Sequence, residues 1–268
     1  MDKLSFMTFM CPDWSLEQVI AGARQFGYAG VEPRVSSKHA HGIELAASRD
    51  ERRSIRTQFS DHEVAVSCLA TSCSFAKGLP KQRQANLDDA RQHVDLAAEI
   101  GASRIRVFCG RPPEGWPLEK VSDAVAEQLG ALADHAAGAR VTVCLETHDH
   151  FVLGAAVGRT LAQVPSPAIA ANWDVQHPYH HGEHPLTTWE HLRGRVAHTH
   201  VHDFLPADQS LGLVEIGAGV SPLRHFLLLL RSGGYDGYLS AEYWGELGPP
   251  EQALASYAAG MRRLLATL

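Results

Sequence analysis

Short runs rich in β-branched and apolar residues alternate with longer segments of helical period along this whole chain. Eight strand-then-helix units can be counted, from KLSFMTF (3–9) with SLEQVIAGARQF (15–26) to GYLSAEYW (237–244) with PEQALASYAAGMRRLLATL (250–268). Such alternation predicts a parallel sheet, and eight units of about 30 residues favour closure into a barrel over a doubly wound sheet. No GxGxxG follows the first strand, which disfavours a dinucleotide-binding fold. We therefore predict an α/β protein with a single-domain (β/α)8 TIM barrel over residues 1–268.

Local signals mark the boundaries of several elements. Ser15, with Gln18 three residues later, predicts a capping box at the first helix, and Gly101 is placed to end the helix that begins near residue 82. The third strand is predicted at VAVSCLA (64–70). The long stretch from Asp203 to Ser221 separates the seventh strand from its helix, which makes it a candidate lid.

Charge and hydropathy narrow the classes of function. The chain has 24 Lys and Arg against 30 Asp and Glu, and this net charge of −6 is the wrong sign for a protein that binds nucleic acid. The start lacks a basic segment followed by a sustained apolar one, and the longest apolar run, FLLLL (226–230), is far too short for a membrane span. Five cysteines without a CxxC pair are typical of free thiols in a reducing compartment. These features predict a cytoplasmic protein that binds neither membrane nor nucleic acid.

Polar side chains mark the ends of four successive predicted strands. Glu146 ends the fifth strand, Asp174 the sixth and Glu242 the eighth, and His200 lies near the end of the seventh. The carboxyl ends of barrel strands build the active site in TIM barrels, so these four residues are expected to converge. Their mixed oxygen and nitrogen donors suit one divalent ion, with Mn²⁺ preferred and Mg²⁺, Co²⁺ or Zn²⁺ as alternatives. Each residue alone has a structural alternative, as a helix cap or in an ion pair.

Histidines are concentrated in the same region. The segment ANWDVQHPYHHGEHP (171–185) contains four of them beside Asp174, and His148 lies two residues beyond Glu146 on the same side of its strand. An imidazole exchanges protons near neutral pH, as isomerisation or elimination requires. His148 is therefore a candidate acid or base, although a histidine hydrogen-bonded in a loop fits the sequence as well. His180, His181 and His184 are interpreted as loop residues at the barrel mouth.

The motifs LETH, WDVQHP, HTHVHD and GYLSAE together resemble the xylose isomerase-like barrel superfamily of sugar isomerases, epimerases, inosose dehydratases and endonuclease IV. The likeness extends to FGYAGVE (26–32) and EIGAG (215–219) and is weakest after the third and fourth strands. It implies that the metal ligands are Glu146, Asp174, His200 and Glu242. The family's HxHxxD motif selects His200 over His198 and His202, and makes Asp203 a hydrogen-bonding carboxylate nearby. The family's DxxH motif matches Asp174 and His177, so His177 is expected to contact substrate or relay a proton.

The resemblance also implies a reaction. We expect an isomerase or epimerase in which the ion stabilises an enediolate while Glu146, Glu242, His148 and His177 form the catalytic group. Ketose 3-epimerases of the superfamily carry a second glutamate at the position of Val152. Its absence here disfavours a mechanism with two carboxylates and favours proton transfer by histidine. The alternatives are a lyase that eliminates from a keto-inositol or keto-glycoside, and a non-catalytic sugar-binding barrel or partner-dependent subunit. Endonuclease IV would need histidines after the third and fourth strands, which are lacking here.

Further residues are candidates for contact with a small sugar, keto-sugar or inositol derivative. Glu32 and Arg34 end the second strand, where they could bind substrate hydroxyl or anionic groups or form a salt bridge at the rim. Trp14, Trp116 and Trp244 each follow a strand and could present an apolar face to a ring. Asp203 is a further candidate for contact with the substrate. Self-association is expected only by analogy with the superfamily.

Overall fold

The computed structural model describes residues 3–206 and 211–268. The strands are β1 (Leu4–Met7), β2 (Gly30–Glu32), β3 (Ala65–Val66), β4 (Leu69–Ser74), β5 (Arg104–Phe108), β6 (Thr142–Glu146), β7 (Ile169–Asp174), β8 (Val196–His200), β9 (Asp203–Pro206), β10 (Leu211–Val214) and β11 (Leu239–Ala241). The α-helices are α1 (Leu16–Phe26), α2 (Arg49–Asp61), α3 (Pro80–Ile100), α4 (Leu118–Ala139), α5 (Gly154–Ala162), α6 (Gln176–His180), α7 (Pro185–Leu192), α8 (Leu223–Ser232) and α9 (Pro250–Leu265). Two short 3₁₀ helices lie at Thr8–Met10 and Asp149–Phe151.

Nine strands form one sheet in the order β3-β2-β1-β11-β8-β7-β6-β5-β4. β3 and β4 are two parts of the third predicted strand, so the sheet has eight barrel positions. The chain just after β2 closes the ring against β4, where Val35 N donates to Ala70 O at 3.1 Å and Ala70 N donates to Pro33 O at 2.9 Å. The prediction of a (β/α)8 barrel is confirmed. The extent of its single domain, residues 1–268, stays a prediction.

Capping residues determine where helix α1 begins and where helix α3 ends. Ser15 and Gln18 form the predicted capping box at α1, and Gly101 ends α3 with a φ of 87°, a left-handed conformation that glycine adopts without strain. The helices cover the barrel, and the strands bury their apolar side chains completely at positions such as Leu69, Ile105 and Val143. All five cysteines are buried free thiols.

Two elements after the sixth and seventh barrel strands were not predicted. α6 forms because the Asp174 Oδ1 atom accepts hydrogen bonds from Gln176 N and His177 N, at 2.7 and 3.0 Å. The candidate lid contains an antiparallel hairpin of β9 and β10, with Asp203 opposite Val214. Residues 207–210 of that candidate lid lie outside the described residues.

A chain of hydrogen bonds fixes the loop between β2 and α2. The buried His41 ring donates from Nε2 to Thr8 Oγ1 at 3.3 Å and accepts at Nδ1 from Ile43 N at 3.0 Å. Thr8 Oγ1 also accepts from Arg34 N at 2.9 Å and lies 3.0 Å from His39 Nδ1. Because Nδ1 of His41 is used as an acceptor, this arrangement requires the neutral imidazole.

We expect His41 to make the stability of the fold depend on pH. Burial lowers the pKa of His41 from 6.5 to about 4, so the unfolded chain binds a proton that the folded chain does not. Stability from this residue is fully present above about pH 6.5 and is lost as the pH falls toward 4, by about 3 kcal/mol. Urea unfolding at about pH 7.5 and about pH 4.5 should show a larger loss for the wild type than for His41→Asn. Equal losses in both proteins would contradict this role.

Candidate active site

Four polar residues of the barrel converge at the carboxyl ends of its strands. One ligand atom each from Glu146, Asp174, His200 and Glu242 lies within 4.8 Å of the others. The strand register explains the convergence, since Glu146 pairs with Asn172, and Asp174 pairs with His200 two residues further along β7. All four residues are at most 5% exposed. Three carboxylates and one imidazole therefore share a buried space in which each charge requires a counter-charge.

His200 lies at the centre of this group. Its Nδ1 atom is 2.6 Å from Glu146 Oε1 and 3.0 Å from Glu242 Oε2, and its Nε2 atom is 3.2 Å from Glu32 Oε1. Burial lowers the pKa of His200, but the three carboxylates outweigh burial and hold it well above 6.5. The imidazolium thus supplies the positive charge that a cation would otherwise bring. An ion bound at Nδ1 would leave an Nε2–H to donate to Glu32, the arrangement that orients histidine ligands.

The donors fit a divalent metal ion. Glu146 Oε2 and Asp174 Oδ2 are buried and accept no well-directed hydrogen bond from any residue that the structure describes. Burial raises the pKa of Glu146, yet His200 and Arg106 bring it down to about 2, and His202 and His177 similarly lower the pKa of Asp174. Both carboxylates are therefore ionised at neutral pH. Carboxylate oxygens with one imidazole suit Mn²⁺, Co²⁺ or Zn²⁺.

Arg106 is a member of this site that the sequence did not reveal. It is 2% exposed, its Nε atom lies 3.4 Å from Glu146 Oε2, and its guanidinium lies 4.1 Å from the centroid of the Phe108 ring. Burial lowers the pKa of Arg106, but Glu146 and Glu242 raise it above its ordinary value. A permanent cation therefore partly neutralises the carboxylates and holds one face of Glu146.

Two histidines lie edge to face beside the four donors. The ring centroids of His148 and His177 are 4.4 Å apart, and His148 Nδ1 is 2.8 Å from Asp149 Oδ1. Burial lowers the pKa of His148, but its hydrogen bond to Asp149 and the charge of Glu146 raise it to about 9. Burial lowers the pKa of His177, and the charge of Asp174 only partly offsets this. At neutral pH one ring is a proton donor and the other a proton acceptor.

The two histidines that flank His200 on its strand have other partners. His198 Nε2 is 2.7 Å from Glu32 Oε2, deeper in the barrel. His202 contacts Asp174 Oδ2 through Nε2 at 3.1 Å and donates from Nδ1 to Glu242 O at 3.1 Å. Only His200, among the three, belongs to the group of four converging donors.

Glu32 lies below the mouth of the barrel. It is fully buried, and besides the two histidines it accepts a hydrogen bond from Ser240 Oγ at 2.7 Å. This placement does not favour the predicted contact with substrate or a salt bridge at the rim. Glu32 is instead placed to orient His198 and His200. The β2 sequence could not show this, because the partners come from β8 and β11.

The other predicted contact residues are dispersed. The Arg34 guanidinium donates to Ala70 O at 3.0 Å and to Val35 O and Ser72 Oγ, so it fixes backbone at the closure of the ring. Trp14 packs over Gly22 of α1, in the helical layer. The centroid of the Trp116 ring lies 4.3 Å from Lys120 Nζ. Trp244, by contrast, is 51% exposed and packs on Phe9, with centroids 5.3 Å apart, beyond the strand end of Glu242.

Asp203 organises the segment after β8. Its Oδ1 atom accepts from Phe204 N and Ser221 N, and its Oδ2 atom from Gly217 N and Gly219 N, at 2.9 to 3.0 Å. A side chain at Gly219 would overlap Asp203 Oδ1 and Phe204 O, which explains the glycine. All four lone-pair positions of this carboxylate are thus directed at backbone, and the predicted contact with substrate is not favoured.

Replacing Asp203 by asparagine should loosen this segment. The amide group would face backbone N–H donors with N–H groups of its own, so at least one charge-assisted pair of hydrogen bonds is lost. We expect the free energy of unfolding to fall by about 2–4 kcal/mol and protease cleavage within 204–221 to accelerate. Asp236→Asn, at an exposed position in the loop before β11, serves as the control. Unchanged stability and cleavage in Asp203→Asn would contradict the anchoring role.

None of the helices that the structure describes has the length and hydropathy needed to cross a membrane.

Comparison with known proteins places this geometry in a family. Residues 20–265 match the family model described as xylose isomerase-like TIM barrel. A curated relative, fructoselysine 3-epimerase of Shigella flexneri, is 24% identical over 235 residues, which covers 85% of this chain and 84% of the relative. The prediction of an enzyme of this superfamily is confirmed at that level.

Solved structures share the fold. The IolI protein with a bound zinc atom superposes with a TM-score of 0.85 at 16% identity, over 99% of this chain and 98% of that one. The probable 3-DHS dehydratase AsbF of Bacillus anthracis gives a TM-score of 0.79 at 18% identity, over 98% of each chain. At such identities the structures establish the fold alone. With the match over residues 20–265, the chain belongs to the xylose isomerase-like TIM barrel family.

Proposed function

We propose that this chain is a divalent-metal-dependent isomerase or epimerase of a small hydroxy-carbonyl sugar. One observation carries the proposal: four metal-type donors converge within 4.8 Å directly beside two histidines whose rings lie 4.4 Å apart. The family match and the curated epimerase relative support the same class of reaction. Glu146, Asp174, His200 and Glu242 would hold the ion.

An ion held there would supply Lewis-acid polarisation of a substrate carbonyl. The chain's own residues supply the proton transfers. His177, neutral at neutral pH, removes the proton from the carbon next to the carbonyl, and His148, protonated and bound to Asp149, donates to the carbonyl oxygen. Isomerisation is completed when His177 returns the proton to the neighbouring carbon and His148 takes back a proton from the hydroxyl that becomes the new carbonyl. Epimerisation is completed when a solvent-derived proton reaches the opposite face of the same carbon, His148 takes back the proton of the carbonyl oxygen, and His177 releases its proton to solvent.

The surroundings suit a polar substrate with an apolar portion. Phe9 and the exposed Trp244 form an aromatic wall beyond Glu242, against which a ring or aliphatic chain can pack. Val152 provides no second carboxylate, and the acid nearest in sequence to His148 is its partner Asp149. We therefore assign proton transfer to the histidines.

A lyase is the second candidate, because the unequal histidines fit this reaction as well. Elimination needs a base for the carbon-bound proton and an acid for the departing hydroxyl, and His177 and His148 hold those two states at neutral pH. A structural neighbour is named a probable dehydratase. A keto-inositol or a keto-glycoside would be the substrate.

One experiment separates these candidates. The purified chain, loaded in turn with Mn²⁺, Co²⁺, Zn²⁺ or Mg²⁺, is incubated with keto-sugars, inososes and glycosides in D₂O and followed by NMR. Solvent deuterium in the substrate carbon without loss of water or an aglycone supports the isomerase, whereas an enone product supports the lyase. Thermal stabilisation by a sugar with neither change would favour a non-catalytic binding barrel or a partner-dependent subunit. Turnover that persists without any ion would refute metal dependence.

A further inference from the structure

A second group of ligand-type side chains lies outside the barrel mouth, between β4 and α3. It consists of Cys73 on β4 and of Asp89 and His93, one helical turn apart on α3. Cys73 Sγ is 3.3 Å from Asp89 Oδ2 and 3.4 Å from His93 Nδ1, and that nitrogen is 3.6 Å from Asp89 Oδ1. None of these residues takes part in the proposed reaction.

The spacing of these donors matches a tetrahedral ion. Zinc holds sulfur at about 2.3 Å and nitrogen or oxygen at about 2.0–2.1 Å, so neighbouring donors lie about 3.3–3.6 Å apart. The distances from Cys73 Sγ to Asp89 Oδ2 and to His93 Nδ1 fall in that range, as does the distance from His93 Nδ1 to the other carboxylate oxygen, Asp89 Oδ1. One donor atom from each residue lies within 4.8 Å of the other two. We infer that Cys73, Asp89 and His93 form a second cation site, for a thiolate-binding divalent ion such as Zn²⁺ or Co²⁺.

The residue types and their exposure define the class of ion. Thiolate with imidazole favours Zn²⁺ and Co²⁺ over Mg²⁺ and Mn²⁺, which prefer oxygen. Cys73 and His93 are each 2% exposed, whereas the Asp89 side chain is 48% exposed. The buried pair fixes the ion's position, and Asp89 opens to solvent, from which the ion enters and a water molecule supplies the fourth ligand.

Binding has a definite proton balance. The Cys73 thiol releases its proton to solvent as the sulfur–metal bond forms. His93 Nδ1 lies 2.9 Å from the carbonyl oxygen of Asp89, to which it donates without an ion, so binding moves that proton to Nε2. Ser36 Oγ lies 3.5 Å from Nε2 and is placed to accept it. The site therefore joins α3 to β4 and to the loop that follows β2.

Cobalt titration tests this site separately from the mouth. The full-length chain, treated with chelator and reduced, is titrated with Co²⁺ while the near-ultraviolet sulfur-to-cobalt charge-transfer band is recorded. The four donors at the mouth include no sulfur, so this band reports only a thiolate site. We expect the band to appear in the wild type and in Glu242→Gln, and to be absent from Cys73→Ser. Failure of the proposed sugar chemistry would leave this result unchanged.

Other cysteines provide matched controls. Cys68 lies near Glu32 and His198 inside the barrel, and Cys109 belongs to no such group among the described residues, so Cys68→Ser and Cys109→Ser should both keep the band. If Cys73→Ser does not fold, the half-exposed Asp89→Asn serves instead, and we expect it to weaken Co²⁺ binding more than about tenfold. No band in the wild type, a band retained in Cys73→Ser, or unchanged affinity in Asp89→Asn would overturn the inference.

Discussion

Glu242→Gln is expected to weaken metal binding at least about 100-fold and to lower kcat/KM by about 10³-fold. Glu242 Oε2 lies 3.0 Å from His200 Nδ1, and the amide replaces an anionic donor with a weaker neutral one. The fold should persist, because the substitution removes one negative charge from a buried region in which Glu146, Asp174 and the nearby Glu32 remain. Metal analysis and calorimetric titration, followed by steady-state kinetics at saturating ion, measure the two effects.

Glu246→Gln is the matched control for this variant. Glu246 lies four residues further along the same loop and accepts a hydrogen bond from Trp244 N at 2.6 Å, away from the converging donors. It should retain both metal affinity and turnover. Wild-type affinity in Glu242→Gln would remove this residue from the proposed ligand set.

The second large effect is expected from the histidine pair. His177→Gln should lower kcat by about 10²–10⁴-fold, the usual contribution of a general acid or base, and leave metal affinity unchanged. His148→Gln should have a similar effect, and the double variant should be little worse than either single one, because the two rings act as a unit. Deuterium incorporation from solvent measures the proton transfer directly.

His181→Gln separates loss of chemistry from disturbance of α6. His181 is exposed and follows the same helix, where its Nδ1 atom donates to His177 O at 2.9 Å. Normal turnover in this variant with strongly reduced exchange in His177→Gln supports the assignment. Normal exchange in both histidine-pair variants would show that another group moves the proton.

The ends of barrel strands are where sequence reasoning was most effective. The period-two pattern and the convergence of strand ends bring Glu146, Asp174, His200 and Glu242 together whatever their loops do. Arg106 was missed because an arginine within RIRVF has no partner in its own segment, and its partner Glu146 follows 40 residues later. Only the assembled barrel shows that this guanidinium faces inward.

Residues in loops were harder to place, because a position just after a strand does not determine where a long side chain points. Trp14 and Trp244 both follow strands, yet one packs in the helical layer and the other stands at the mouth. The backbone partners of the Asp203 carboxylate could not be predicted either, because they extend to Ser221 and depend on how the segment folds back.

The attachment of the β9–β10 hairpin makes it an exchangeable module. Asp203 N donates to Tyr243 Oη at 3.1 Å, and Tyr243 Oη donates to Val214 O at 3.0 Å, so one buried ring holds both ends. Because both ends are held from the barrel side, a hairpin of another length or composition grafted between them would keep both of these hydrogen bonds.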